Sequence, residues 1–206
     1  MKPTRLLISV PLYLTVPALW FCRWEEMDKR HVVGVVATRK LYLASAMTNM
    51  VQGSLGRDDW DRLVVYEADM MPPRDAFTRI AHYPDTLDIV GSMYFQHPPP
   101  HHPVAYTQVD EDHYTALARN QVVDMMDRPG VYPVDAVGMG FTSISRRVLE
   151  SWDPDVPMWG GERAELGHDM FFCRAAKQQG FGVSVDSGIE VGHLTETTVT
   201  YDSTKQ

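Results

Sequence analysis

Cysteine is scarce in this chain: Cys22 and Cys173 are the only two among 206 residues. Two cysteines so far apart, with no Cys-x-x-Cys pair, exclude a disulfide framework and a thiolate zinc site, and both are expected as reduced core residues. Basic residues are also outnumbered, 19 Lys and Arg against 27 Asp and Glu, which gives a formal net charge of -8. Such a surface disfavours nonspecific binding to nucleic acid phosphates and suits a divalent cation. Long apolar runs are missing. The stretch from Leu6 to Phe21 is interrupted by Pro11 and Pro17, so neither a secretory signal nor a membrane span of about 20 apolar residues is expected. No basic amphipathic helix offers a stable membrane dock. An early Gly-rich phosphate loop is absent too, since Ser9-Val10-Pro11-Leu12 is not one; this counts against a nucleotidyltransferase. Together these absences point to a cytoplasmic protein.

What is present is enough for a core: 44% hydrophobic and 22% charged residues fit one globular domain spanning 1–206. Arg5 to Val10 reads as a strand closed by Pro11, and Val16 to Lys29 as a helix with Leu19 and Trp20 on one face. His31 to Thr38 is a β-branched run expected as a second buried strand, followed by a helix over Leu41 to Leu55. A strand ending at Glu67 and Asp69, a helix over Arg74 to His82 and a strand over Leu87 to Gly91 continue the alternation. Strands alternating with helices predict an α/β sandwich with a mostly parallel sheet, whose ligands sit at the carboxyl ends of the strands. Tyr94 to Tyr106, with its prolines and His97, His101 and His102, reads as a long loop covering substrate. Glu111 to Met126 has helical length. Val134 to Val137 and Phe141 to Ile144 read as strands around Gly138 and Gly140, glycines that permit close approach of a ligand or backbone.

Two features carry chemistry. The apolar run Leu63-Val64-Val65-Tyr66 ends in Glu67-Ala68-Asp69, a buried strand whose tip presents carboxylates at i and i+2 to one hard cation. Acids at strand ends are commonly solvated turn residues, so the motif needs company downstream. Asp169 falls at the start of a helix that runs to Gln179 and ends at Gly180, where a carboxylate meets the positive helix terminus. A charge that merely stabilises the helix would look the same.

The ordered set of motifs resembles the GT-A fold glycosyltransferases, family-two-like enzymes of bacteria and phages in particular. The residues that carry the resemblance are Glu67-Ala68-Asp69, Val137-Gly138-Met139-Gly140-Phe141, Gly167 to Ala175, Gly180-Phe181, Val185-Asp186 and Gly192-His193, in order over Arg5 to Leu194. The resemblance implies a Rossmann-like three-layer sandwich forming a single catalytic domain, with a donor-binding half over about 1–92 and an acceptor half over about 93–206. It implies a metal-dependent transfer of a sugar from a nucleoside diphosphate sugar to an acceptor hydroxyl, with Mn²⁺ or Mg²⁺ as the metal and a UDP-sugar favoured over a GDP-sugar. Asp69, Glu67 and His193 would hold the metal, Glu67 also standing where the family contacts ribose. Asp169 would be the catalytic base, and inversion is favoured.

Two positions depart from the family pattern. Glu67 replaces the usual first Asp, and His168 stands where Glu usually precedes the catalytic Asp. Trp159-Gly160-Gly161-Glu162 resembles the acceptor-side segment of galactosyl- and N-acetylgalactosaminyl-transferases. By that likeness Trp159 would stack on a sugar or close the donor pocket, and Glu162 would compete with Asp169 for the base role, making retention conceivable. Pro11, Tyr13 and Arg39, at strand ends, are placed near the nucleotide; Ser45 and Asn49 follow on a helix whose solvated face explains them as well. The acceptor stays open between a protein, a glycan and a modified DNA base, the oligomer between monomer and homodimer, and a viral source would place the enzyme in the host cytoplasm. A noncatalytic sugar- or nucleotide-binding protein on the same fold is the remaining alternative.

Overall fold

The computed structural model describes residues 4–12, 16–39, 43–97, 99–111, 113–160 and 166–194. The elements in chain order are β1 (Leu6–Leu12), α1 (Ala18–Glu26), β2 (Val32–Arg39), α2 (Leu43–Leu55), β3 (Arg62–Tyr66), β4 (Met70–Met71), α3 (Ala76–Ile80), β5 (Ile89–Met93) and β6 (Ala105–Gln108). They continue with β7 (Tyr114–Ala116), α4 (Arg119–Asp127), β8 (Val131–Pro133), β9 (Ala136–Val137), β10 (Phe141–Ser145), α5 (Arg146–Glu150), α6 (His168–Gln178), β11 (Val183–Glu190) and β12 (Gly192–His193).

A seven-stranded sheet in the order β2-β1-β3-β10-β5-β11-β8 takes strands from both halves of the chain. β1 runs parallel to β2 and β3, and β5 parallel to β11; β10 is antiparallel to both β3 and β5, and β8 antiparallel to β11. The mostly parallel α/β sheet expected from the alternation is therefore present, with β10 wedged in its middle.

The central strands are apolar because both faces are covered. Ser9 pairs with Val65 across β1 and β3, and the Ser9 hydroxyl meets Met50 Sδ of α2 at 2.7 Å. Tyr66, one residue on, faces the other side, where side chains alternate. It packs there edge-on to Phe141 at 5.2 Å between centroids, with Phe77 of α3 and Trp20 and Trp24 of α1 around it. At the amino end of β3 the buried Arg62 closes the sheet, donating to Ser143 Oγ at 2.7 Å and to the carbonyls of Leu87 and Asp88. Burial pushes its guanidinium down to about 10. Among the described residues no helix is long and apolar enough to cross a membrane.

Several local expectations are corrected. β2 is an edge strand, so Val35 is 47% exposed rather than buried. Leu19 is 59% exposed because α1 turns Trp20 inward, and residues adjacent on a helix cannot both face the core. Cys22 on the same helix is exposed, whereas Cys173 is buried as expected. The Glu111 to Met126 helix is replaced by β7 and then α4. Leu117 N–H bonds Ala105 O at 2.9 Å and holds the chain to β6, and the helix starts only where Gln121 Oε1 accepts Ala118 N–H at 2.9 Å. The Tyr94 to Tyr106 segment is folded back on itself, with Phe95 bridging Pro103 and Gln96 N–H bonding His102 O at 2.8 Å.

Gly91 of β5 sits where a Cβ would lie 2.6 Å from Val137 Cβ, whereas a Cβ at Gly53 of α2 would meet nothing nearer than Val36 Cγ1 at 3.8 Å. Gly91→Ala is expected to cost about 1–3 kcal/mol through overpacking, and Gly53→Ala to leave stability unchanged or raise it by up to about 1 kcal/mol. Urea denaturation of the two variants checks the contrast.

Candidate functional site

The acidic tip of β3 is built from the backbone outward. Glu67 N–H bonds Gly140 O at 2.8 Å, and Glu67 O accepts Trp20 Nε1–H at 3.1 Å, so the residue that follows the strand is fixed from both sides. Met70 N–H returns to Glu67 O at 3.1 Å and closes a turn over Glu67-Ala68-Asp69. β4 leaves that turn and pairs antiparallel with β12, His193 opposite Met70. This two-residue ribbon brings the end of the described chain onto the acid turn.

There, His193 Nδ1 lies 3.0 Å from Phe95 O and Nε2 lies 3.2 Å from Asp69 Oδ2. A carbonyl only accepts, so Nδ1 carries the proton and neutral His193 points the Nε2 lone pair at a carboxylate. Two electron-rich atoms in that relation call for a proton or a cation between them. Burial works against a charged His193 ring, but Asp69, the Phe95 carbonyl and Glu67 outweigh it and its pKa is raised. Asp69 Oδ1 is buried with no hydrogen-bond partner among the described residues, an acceptor whose desolvation nothing in the fold offsets. Glu67 is pushed up to about 8, first by burial and then by the charges of Asp169 and Asp69.

Asp169 enters from α6. Its Oδ2 accepts Met139 N–H at 3.1 Å, and its Oδ1 is paired with His168 Nε2. Burial disfavours the charged His168 ring, yet Asp169 and Glu67 raise its pKa on balance. The segment Gly138-Met139-Gly140 thus serves both acids, its last carbonyl holding Glu67 and its middle amide holding Asp169. Gly140 N–H in turn donates to the buried Tyr94 hydroxyl at 3.0 Å. A Cβ at Gly140 would lie 2.7 Å from Met70 Cε and 2.9 Å from Tyr94 Oη, and one at Gly138 would overlap that hydroxyl. The two glycines make room for Tyr94, whose ring also stands edge-on to His193 at 5.9 Å.

Glu67, Asp69, His193 and Asp169 are therefore brought to one end of the sheet, beyond the carboxyl ends of β3 and β5. Asp69 and His193 are in contact; among the described residues no group of three or more His, Cys, Asp or Glu side chains closes on a single metal position. The donor chemistry nonetheless fits a hard cation, with one orphaned carboxylate oxygen and one imidazole lone pair at the same place. Pro11 is the next-to-last residue of β1 and Arg39 the last of β2, paired with Thr38 and Leu12 respectively. Trp159 is buried, one face stacked on Phe172 at 4.3 Å. Tyr13 and Glu162 lie outside the described residues. Sequence reasoning missed Tyr94; the signal available was a polar aromatic directly after a strand, at the end where ligands gather. On the far side of Phe95 a cavity of about 910 Å³ opens between the proline-rich hairpin and α4, lined by Pro103, Leu117, Arg119 and Val122 among others.

No protein-family model and no curated protein sequence matches the chain. Solved structures do. A197 from STIV superposes with a TM-score of 0.67 at 18% identity, over 95% of this chain and 93% of that one. GalNAc-T7, crystallised with UDP, GalNAc and Mn²⁺, superposes with a TM-score of 0.60 at 11% identity, over 94% of this chain. The chain spans only 43% of the GalNAc-T7 chain. What is shared at these identities is the fold, the GT-A fold of glycosyltransferases.

The raised pKa values set the sign of a pH dependence. A carboxyl whose folded pKa is about 8, above its ordinary value, binds a proton more tightly folded than unfolded, so stability is lost as pH climbs from about 5 through 8. The raised histidines act in the same direction. Metal-free protein should be less stable at pH 9 than at pH 5.5, and Glu67→Gln should recover on the order of 2 kcal/mol at pH 9. Urea midpoints of both proteins across that range test it; a variant with the parent's pH dependence contradicts the buried-acid account.

Proposed function

We propose that the chain is a metal-dependent glycosyltransferase that transfers a sugar, favoured as a UDP-sugar, to an acceptor hydroxyl with inversion. The observation that carries this reading is the meeting of Asp69, His193 and Asp169, from three distant parts of the sequence, on one end of a GT-A sheet. Residues 1–206 act as one catalytic domain in this reading, since the sheet interleaves strands of the donor and acceptor halves.

Asp69 and His193 would hold Mn²⁺ or Mg²⁺ with Glu67 beside them, and the cation supplies positive charge for the oxygens of the departing nucleoside diphosphate. Glu67 is the group whose charge depends most on that cation, because without it burial and two neighbouring carboxylates keep it protonated near neutrality. Asp169, fixed by Met139 N–H, belongs to the base that withdraws the acceptor's proton. The Gly138-Met139-Gly140 segment holds the acid turn and the base in a constant relation, which is what positioning contributes to catalysis. The 910 Å³ cavity beyond Phe95 is the space for the acceptor. A noncatalytic sugar- or nucleotide-binding protein would keep this binding and lack turnover.

Asp69→Asn and His193→Ala should abolish the Mn²⁺-dependent rise in melting temperature produced by UDP. Asp169→Asn should retain that rise and lose sugar transfer by a factor of about 10²–10⁴. Thermal shifts and radiolabelled UDP-sugar turnover separate the two effects, and normal turnover by the Asp169 variant would overturn the base assignment.

A further inference from the structure

His168 stands at the first position of α6, directly before Asp169. Its Nε2 is paired with Asp169 Oδ1, while Asp169 Oδ2 is engaged by Met139 N–H at 3.1 Å. Oδ2 is thus occupied by a backbone donor, while Oδ1, buried and without a hydrogen bond among the described residues, lies against His168 Nε2, a contact that calls for a proton between the two atoms. The other ring nitrogen, His168 Nδ1, has no hydrogen-bond partner among the described residues, and the side chain keeps 29% of its surface. The charged groups acting on the ring are Asp169 on its own helix and Glu67 beyond β3.

We propose that His168 and Asp169 work as a dyad in which His168 Nδ1 is the atom that takes the acceptor's proton and Asp169 orients the ring. This rests on the glycosyltransferase reading. The acceptor hydroxyl oxygen forms its bond to the anomeric carbon as its proton passes to Nδ1. The bond from the anomeric carbon to the diphosphate oxygen breaks, and its electron pair leaves with the nucleoside diphosphate. The Nε2 proton stays between His168 and Asp169, whose negative charge stabilises the imidazolium that forms. An acid paired with His168 Nε2 selects the tautomer whose Nδ1 lone pair is open to the substrate, as hydrogen bonding at one ring nitrogen fixes the state of the other.

The test has two arms on the full chain. Nitrogen-15 spectra of the histidine rings, at a pH high enough to keep His168 neutral, should show its proton on Nε2; a proton on Nδ1 would overturn the dyad. In the second arm the probe is UDP-N-acetylgalactosamine or UDP-galactose with Mn²⁺, water serving as acceptor. His168→Gln and Asp169→Asn should each slow hydrolysis by about 10²–10⁴, the double variant should be no slower than either, and UDP-induced stabilisation should persist in all three. Non-additivity of that kind marks residues that act as a unit. Hydrolysis by His168→Gln within about threefold of the parent, with Asp169→Asn still impaired, would return the base role to Asp169 alone. If the parent protein neither binds nor cleaves either donor, the glycosyltransferase reading fails, and the ring-nitrogen spectra still decide whether the pair is poised as described.

Discussion

The hydrogen bond from Gly140 N–H to the buried hydroxyl of Tyr94 is the constraint on which the site depends. Around it the chain has no freedom, because Gly138 and Gly140 lie too close to Tyr94 and Met70 to carry side chains. The segment so fixed offers Gly140 O to Glu67 and Met139 N–H to Asp169. β10, which continues from it, is inserted antiparallel between β3 and β5. The strand wedged into the middle of the sheet therefore links the acidic turn after β3 to the helix that bears Asp169. Rigidity here comes from packing and main-chain bonds rather than from ion pairs on the surface, which contribute little.

Electrostatically the site is an unfinished object. Glu67, Asp69 and Asp169 are drawn together in a partly buried place, and the fold answers with two histidines whose pKa values are raised and with a Glu67 held protonated near neutrality. A buried carboxylate oxygen on Asp69 has no partner within the described chain. Crowded acids that a fold could have replaced with apolar residues are retained at a cost in stability. A divalent cation bound between Asp69 and His193 would reverse that balance.

Much of this was legible in the sequence because it depended on local pattern. The apolar run into Glu67-Ala68-Asp69 is β3 and its turn, and the glycines at 138 and 140 mark a close approach, although what approaches is the protein's own Tyr94. The start of α6 at His168 and its end before Gly180, which has φ +87°, follow from residue types that favour those positions. What could not be read was tertiary. Whether β2 lies inside the sheet or at its edge, whether Leu19 or Trp20 faces inward and whether Thr115 pairs with β6 depend on partners distant in sequence. The meeting of His193 with Asp69 depends on the β4 and β12 ribbon, a pairing of two residues each that no periodicity announces. Trp159, open in the sequence between stacking on a sugar, closing the donor pocket and lying buried beside a Gly-rich turn, is buried against Phe172, a distinction that an apolar aromatic in a Gly-rich stretch does not reveal.

The central claim is that Asp69 and His193 form one cation site that serves a nucleoside diphosphate. Calorimetric titration of UDP into the purified protein, with and without Mn²⁺, tests it most directly. The account predicts one binding site for UDP that is present with Mn²⁺ and lost with a chelator. UDP, GDP, CMP and dTDP all failing to bind in the presence of Mn²⁺, or binding equally well without it, would contradict the account.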